Sequence, residues 1–156
     1  MVKWYLKEAT GIWVSAAAML SFASTGMAAQ PLRPDWVVDP TTRCRAWNPN
    51  PQGNETITWS GACRDGLAEG HGVLQWFHNR RPAARYEGEL RGGKENGYGA
   101  LTKPQVRYEG EFRDGKAHGL GHYVAPGYNL TGIWIDGCFR EGNRIIGIGR
   151  DASSCP

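Results

Sequence analysis

The chain has 156 residues, with 22 glycines, seven tryptophans and a formal charge of +3 from 18 basic and 15 acidic residues. That length suits one domain; glycine well short of one residue in three excludes collagen, and 11% aromatics argue against disorder. A mean hydropathy of −0.50 speaks against a multi-span membrane protein, and so mild a positive excess gives no footing for a nucleic-acid partner.

The N-terminus is basic, with Lys3 and Lys7 beside Glu8, and no charge follows from Ala9 to Leu32. Ile12, Trp13, Val14, Ala16, Ala17, Ala18, Met19, Leu20 and Phe22 form an apolar run, which small residues close at Gly26-Met27-Ala28-Ala29. A basic start, an apolar middle and small residues at a cut are the layout of a secretory signal peptide. Cleavage after Ala28 sets Gly26 and Ala28 at the two small positions, whereas cleavage after Ala29 would put Met27 in one of them. An uncleaved anchor is the alternative, although Ser15, Ser21, Ser24 and Thr25 break up the apolar core. Residues 1–28 are therefore expected to be a signal peptide and the product exported, periplasmic or extracellular. It keeps 16 basic and 14 acidic residues and all four cysteines, Cys44, Cys63, Cys138 and Cys155. An even count in a small exported chain implies disulfides.

Residues 29–56 hold five of the nine prolines, Pro31, Pro34, Pro40, Pro49 and Pro51. An irregular cap is expected there, not a strand of the array. Regular spacing begins at Trp59, with glycines at offsets +2, +7, +11 and +13: Gly61, Gly66, Gly70 and Gly72. Tyr86 repeats those offsets with Gly88, Gly93, Gly97 and Gly99, and Tyr108 with Gly110, Gly115, Gly119 and Gly121. Leu130 keeps the first two, Gly132 and Gly137, before Glu141 takes the third place. Starts spaced by 27, 22 and 22 residues read as a repeat array over residues 57–137. In each unit the side chains alternate: Tyr108, Gly110 and Phe112 point one way, Glu109, Glu111 and Arg113 the other. That is the period of a half-buried strand. Asp114-Gly115 then turns the chain, and the later Gly-x-Gly opens the return strand, where backbones can approach closely. A single hairpin is marginal in water, so neighbours must share one apolar face. Trp59, Tyr86, Leu90, Tyr108, Phe112 and Trp134 are its expected core.

The run from Tyr108 to Gly121 resembles the MORN repeat (membrane occupation and recognition nexus), whose pattern is Tyr-x-Gly-x-x-x-x-Gly-x-x-x-Gly-x-Gly. Tyr86 to Gly99 matches as well, and Trp59 to Gly72 matches with Trp for Tyr; the fourth unit is half a repeat, and the first carries five extra residues before the second. The resemblance implies an all-β fold, a single-layer antiparallel sheet of stacked hairpins. It leaves function open, since such repeats serve as lipid-binding, protein-binding and spacer modules.

An open stack leaves an apolar face and a strand edge bare at each end, and atypical segments are expected to cap them. Cys63 occupies the slot of Leu90, Phe112 and Trp134 and should face inward, with Cys44 its natural partner. Ile133 and Ile135 stand where earlier units carry charge, so the tail over residues 138–156 is expected to cover the outer face there. Hairpins advance roughly 9–10 Å per unit, which sets Cys63 and Cys138 too far apart for a disulfide's span of about 7 Å. Local pairs are expected, Cys44–Cys63 and Cys138–Cys155. The crossed pairs would require both tails to run the length of the array.

Candidates for chemistry are few. His118 and His122 are four apart on a strand, about 13 Å along it, too far to share an ion easily, and no metal or cofactor is expected. Glu87, Glu89, Glu109 and Glu111 form rows on the outer face with Arg91 and Arg113 alongside, which reads as a solvated, charge-balanced surface and not a catalytic pair. The stretch Trp76 to Arg85 stands out, because Trp76, Phe77, Arg80, Arg81 and Arg85 combine aromatics with cations suited to an anionic or glycan-like ligand. The favoured expectation is a non-catalytic exported protein that binds an envelope protein through its sheet face. The alternative is binding of anionic lipid or cell-wall glycan through an Arg80–Arg85 loop. An enzyme or enzyme inhibitor is the third reading.

Overall fold

The computed structural model of the chain describes residues 35–156; the expected signal peptide lies outside them. The chain order is β1 (Trp36–Val38), β2 (Arg45–Trp47), β3 (Glu55–Trp59), β4 (Ala62–Arg64), β5 (Leu67–His78), β6 (Arg81–Arg91), β7 (Lys94–Lys103), β8 (Val106–Arg113), β9 (Lys116–Ala125), β10 (Tyr128–Trp134), β11 (Cys138–Glu141), β12 (Arg144–Gly147) and a 3-10 turn (Ala152–Ser154). Strands β3 to β10 form an open antiparallel sheet, joined beside β5 by the β1–β2 hairpin; β11 and β12 pair separately. Among the described residues no helix is long and apolar enough to cross a membrane.

The repeat glycines fall into one row. Register pairs Gly72 with Gly88, Gly88 with Gly99, Gly99 with Gly110, Gly110 with Gly121, and Gly121 with Gly132. The large ring that starts each unit lies over this row. A Cβ placed at Gly88 or Gly99 would collide with the Tyr86 ring, at Gly110 or Gly121 with Tyr108, and at Gly61 or Gly72 with Trp59. Each ring also donates a hydrogen bond three residues onward: Tyr86 Oη to Glu89 O at 3.0 Å, Tyr108 Oη to Glu111 O at 3.0 Å, Trp59 Nε1 to Ala62 O at 2.7 Å. The indole N–H does the work of the phenol, which explains how Trp stands in for Tyr in the first unit. Leu130 offers neither ring nor donor, and Phe139 instead packs over Gly132.

The offset +7 glycines lie in two-residue turns with both residues at positive φ, as in Asp114 (φ 50) and Gly115 (φ 81), a conformation that favours glycine. Their amides stitch the units together. Gly93 N donates to Ala68 O (2.9 Å), Gly115 N to Glu95 O (2.9 Å) and Gly137 N to Ala117 O (2.7 Å). Thus each +7 N–H meets the +9 carbonyl of the unit before it. The rings pack edge to face within and between units: Phe112 lies 5.1 Å from Tyr108 of its own unit and 5.1 Å from Tyr86 of the unit before, and Tyr108 lies 5.0 Å from Trp134 of the next, within the favourable range for aromatic pairs.

Both disulfides join the expected partners, Cys44–Cys63 and Cys138–Cys155, with Cα separations of 5.8 and 5.7 Å. Three expectations need correction. Residues 29–56 are not wholly irregular, because they contain β1 and β2, and Arg45 pairs with Leu67 in parallel; the prolines among the described residues fall outside these strands. Cys63 shares the face of its buried partner Ala68 yet stays exposed, because β4 pairs with β5 alone. Ile133 and Ile135 are 63% and 64% exposed, so the tail does not cover them. It turns instead to the inner side, where Ile148 N donates to Gly137 O and Ile148 O accepts from Ala117 N. The N-terminal segment also lies along the inner side, with Trp47 N donating to Gly93 O and the Trp47 ring over Gly115. Gly149 of the tail packs against the backbone of Gly115 and Lys116. The two tethered segments therefore meet over the third turn and roof the inner face, leaving the strand edge at β10 open.

Candidate functional site: an open outer face and a roofed inner groove

On the outer face the second and third units carry paired charges: Arg85 with Glu87 and Arg107 with Glu109, each at 2.8 Å, and Arg91 with Glu89 at 3.7 Å. Arg107 and the Tyr98 hydroxyl hold the Glu109 carboxyl below its ordinary range. Exposed pairs of this kind contribute about 0–1 kcal/mol each, so they keep the surface wet without bracing the fold. Toward β10 the surface changes. Tyr98 stands opposite Glu111, the Glu111 carboxylate accepts from Leu120 N, and Leu120 stands opposite Ile133. Tyr98 on β7, Leu120 on β9, Ile133 on β10 and Ile135 just beyond it are all exposed; Leu120, Ile133 and Ile135 form an apolar strip at the β10 side, with Glu111 of β8 between them and Tyr98.

The five residues singled out between Trp76 and Arg85 do not converge. The extra residues of the first unit lengthen β5 and β6 and leave a two-residue turn at Asn79-Arg80, so there is no Arg80–Arg85 loop. Trp76 is buried on the inner side opposite Ala84. Phe77 is half-buried, and Arg85 lies outside against Glu87. Arg80 and Arg81 are exposed and have no ion pair among the described residues. Of the six expected core residues, Trp59, Tyr86, Leu90, Tyr108, Phe112 and Trp134, all are buried. His118 accepts from Asp136 N and His122 bonds Asn129, so the two histidines serve different partners.

Sequence reasoning missed the inner groove, a cavity of about 340 Å³ between the sheet and the two roofing segments. Trp76, Leu101 and Phe112 line its floor, with Trp47 and Ile148 from the roof. Asn48, Gln52 and Glu55 at one end satisfy one another: Asn48 Nδ2 and Gln52 N both donate to Glu55 Oε2. Glu95 differs. It lines the groove and is 8% exposed, and no other residue donates to its carboxylate among the described residues. Burial pushes the Glu95 carboxyl up to about 7, with its own backbone N–H and then Lys103 pulling the other way. The signal was present in the repeat alignment, since Glu95 holds the +9 slot that Ala68 and Ala117 hold in the neighbouring units.

The MORN repeat matches residues 60–77, 86–105 and 108–129, close to the units delimited by the glycine row. No curated protein matches the chain. With three repeats matched and the stacked-hairpin sheet in place, the chain is a MORN repeat protein.

Proposed function

We propose that the chain is an exported, non-catalytic binding module that engages a protein partner at the cell envelope through the outer face of its sheet. The observation that carries this reading is the set Tyr98, Leu120, Ile133 and Ile135, large side chains left in water, of which Ile133 and Ile135 stand where the preceding units present Glu and Arg. Apolar side chains grouped in water in this way suit an interaction site, and the β10 edge, unpaired among the described residues, adds backbone groups for strand addition. Two disulfides fit an oxidising compartment. A photo-crosslinking residue at position 133, introduced in the producing cell, should yield a discrete heavier adduct. The same residue at exposed Arg144 on β12 should yield none, and Leu120→Glu should abolish the adduct. Adducts from neither position, or equally from both, count against this face.

The alternative, binding of anionic lipid or cell-wall glycan, has Arg80 and Arg81 as its free cations, Arg85 being paired. Replacing both with Ala should then remove co-sedimentation with anionic vesicles or wall fragments, and salt should weaken it. Sedimentation unchanged by either treatment speaks against it.

A further inference from the structure

We propose that the inner groove is a binding site for a small organic ammonium ion with an apolar arm, held by the Glu95 carboxylate. The site is separate from the outer strip and independent of the protein partner proposed for it.

The repeat itself isolates the anomaly. At offset +9 the first and third units bury Ala68 and Ala117 completely, and the backbone bond to the next unit uses only the +9 carbonyl. Nothing in the stacking of units requires a carboxylate at position 95. A buried carboxylate met only by its own backbone N–H, with no ion pair among the described residues, opposes folding, and residues that break a local rule in this way cluster at functional sites. The carboxylate is also placed to receive something. Its Oε2 lies 3.2 Å from where a Gly115 side chain would begin, in the space that the Trp47 ring shares over the same glycine.

The walls decide the class of ligand. Trp47, Trp76 and Phe112 line the groove with Glu95, and aromatic faces attract cations, as Lys94 Nζ already shows, 5.2 Å from the Trp47 ring centroid. An ammonium group supplies what the Glu95 backbone amide does not, a positive charge in contact with the carboxylate, in a charge-assisted hydrogen bond. No group of three or more acids, histidines or cysteines that could hold a metal ion occurs among the described residues; Glu55 is already occupied by Asn48 and Gln52. Arg150, which also lines the groove, spends its guanidinium on Ser154 and Asp136. Lys103 is left as the remaining lining cation, exposed at the rim. The volume suits a ligand of a few ring- or chain-sized groups.

The test uses phenethylamine as probe, with 2-phenylethanol as its uncharged counterpart, read by tryptophan fluorescence and by calorimetry on the mature protein. Saturable binding of the amine is expected, at least tenfold tighter than the alcohol. Glu95→Gln and Glu95→Ala should each weaken amine binding at least tenfold. Glu95→Ala restores the residue that neighbouring units carry, so it should fold, and thermal melting checks that it does. Equal binding of amine and alcohol, amine binding unchanged in both variants, or no saturable amine binding overturns the proposal.

Discussion

The two faces of this sheet are made by the same strands and answer to different rules. Inward residues are fixed by the repeat: a ring needs two glycines beneath it, and a +7 amide needs the +9 carbonyl of the preceding unit. Outward residues meet none of these requirements, so they drift from the Glu and Arg pairs of the middle units to Leu120, Ile133 and Ile135 at the open edge. Regularity marks where the fold is held, and departures from regularity mark where a ligand or partner can be read. Glu95 is such a departure on the inner face.

The comparison can be broken most forcefully at Phe112. Its ring touches both Tyr86 and Tyr108, and Phe112→Ala should cost about 3–5 kcal/mol in denaturant unfolding. A loss below about 1 kcal/mol would remove the inner face as the source of stability. Next comes the pH response of Glu95. Its carboxyl rises from 4.5 to about 7 on folding, so between those values the folded chain keeps a proton that the unfolded chain has released. Its contribution to stability is therefore highest below about 4.5, declines as pH climbs to about 7, and is level above. The decline amounts to roughly 3 kcal/mol, and Glu95→Gln should abolish it; parallel pH profiles for the two proteins would contradict the burial of an unpaired carboxylate. A smaller effect is expected for Tyr108→Phe, which keeps the ring over Gly110 and Gly121 but loses the bond to Glu111 O. About 1 kcal/mol is the ordinary worth of such a bond. Smallest of all, Leu120→Ala should shift stability by less than about 0.5 kcal/mol, and a larger loss would mean that the outer strip belongs to the core.

Much of the fold was legible because the repeat encodes it locally. Glycine spacing located the turns, alternation placed Leu90, Phe112 and Trp134 inward, and the rise of each hairpin forced short-range disulfides. The course of the two end segments was not legible. A disulfide fixes where a segment is tied, and it does not say which way the segment leaves; the tail leaves toward the Gly137 and Ala117 backbone, so Ile133 and Ile135 remain bare. The Arg80–Arg85 segment reads as a loop because its charges hide a strand pattern, and only the Asn79-Arg80 turn at positive φ shows that β6 begins at Arg81. The groove escaped notice because Trp47 and Glu95 are 48 positions apart and meet only once the N-terminal segment crosses the inner face.

The division of labour between the faces is open to direct measurement by radical footprinting of the protein in its own envelope preparation, compared with the purified form. Tyr98, Leu120, Ile133 and Ile135 should be modified readily in the purified protein and protected in the envelope, while Tyr86, Tyr108 and Trp134 stay shielded in both. Equal modification of the outer strip in the two preparations would contradict the account.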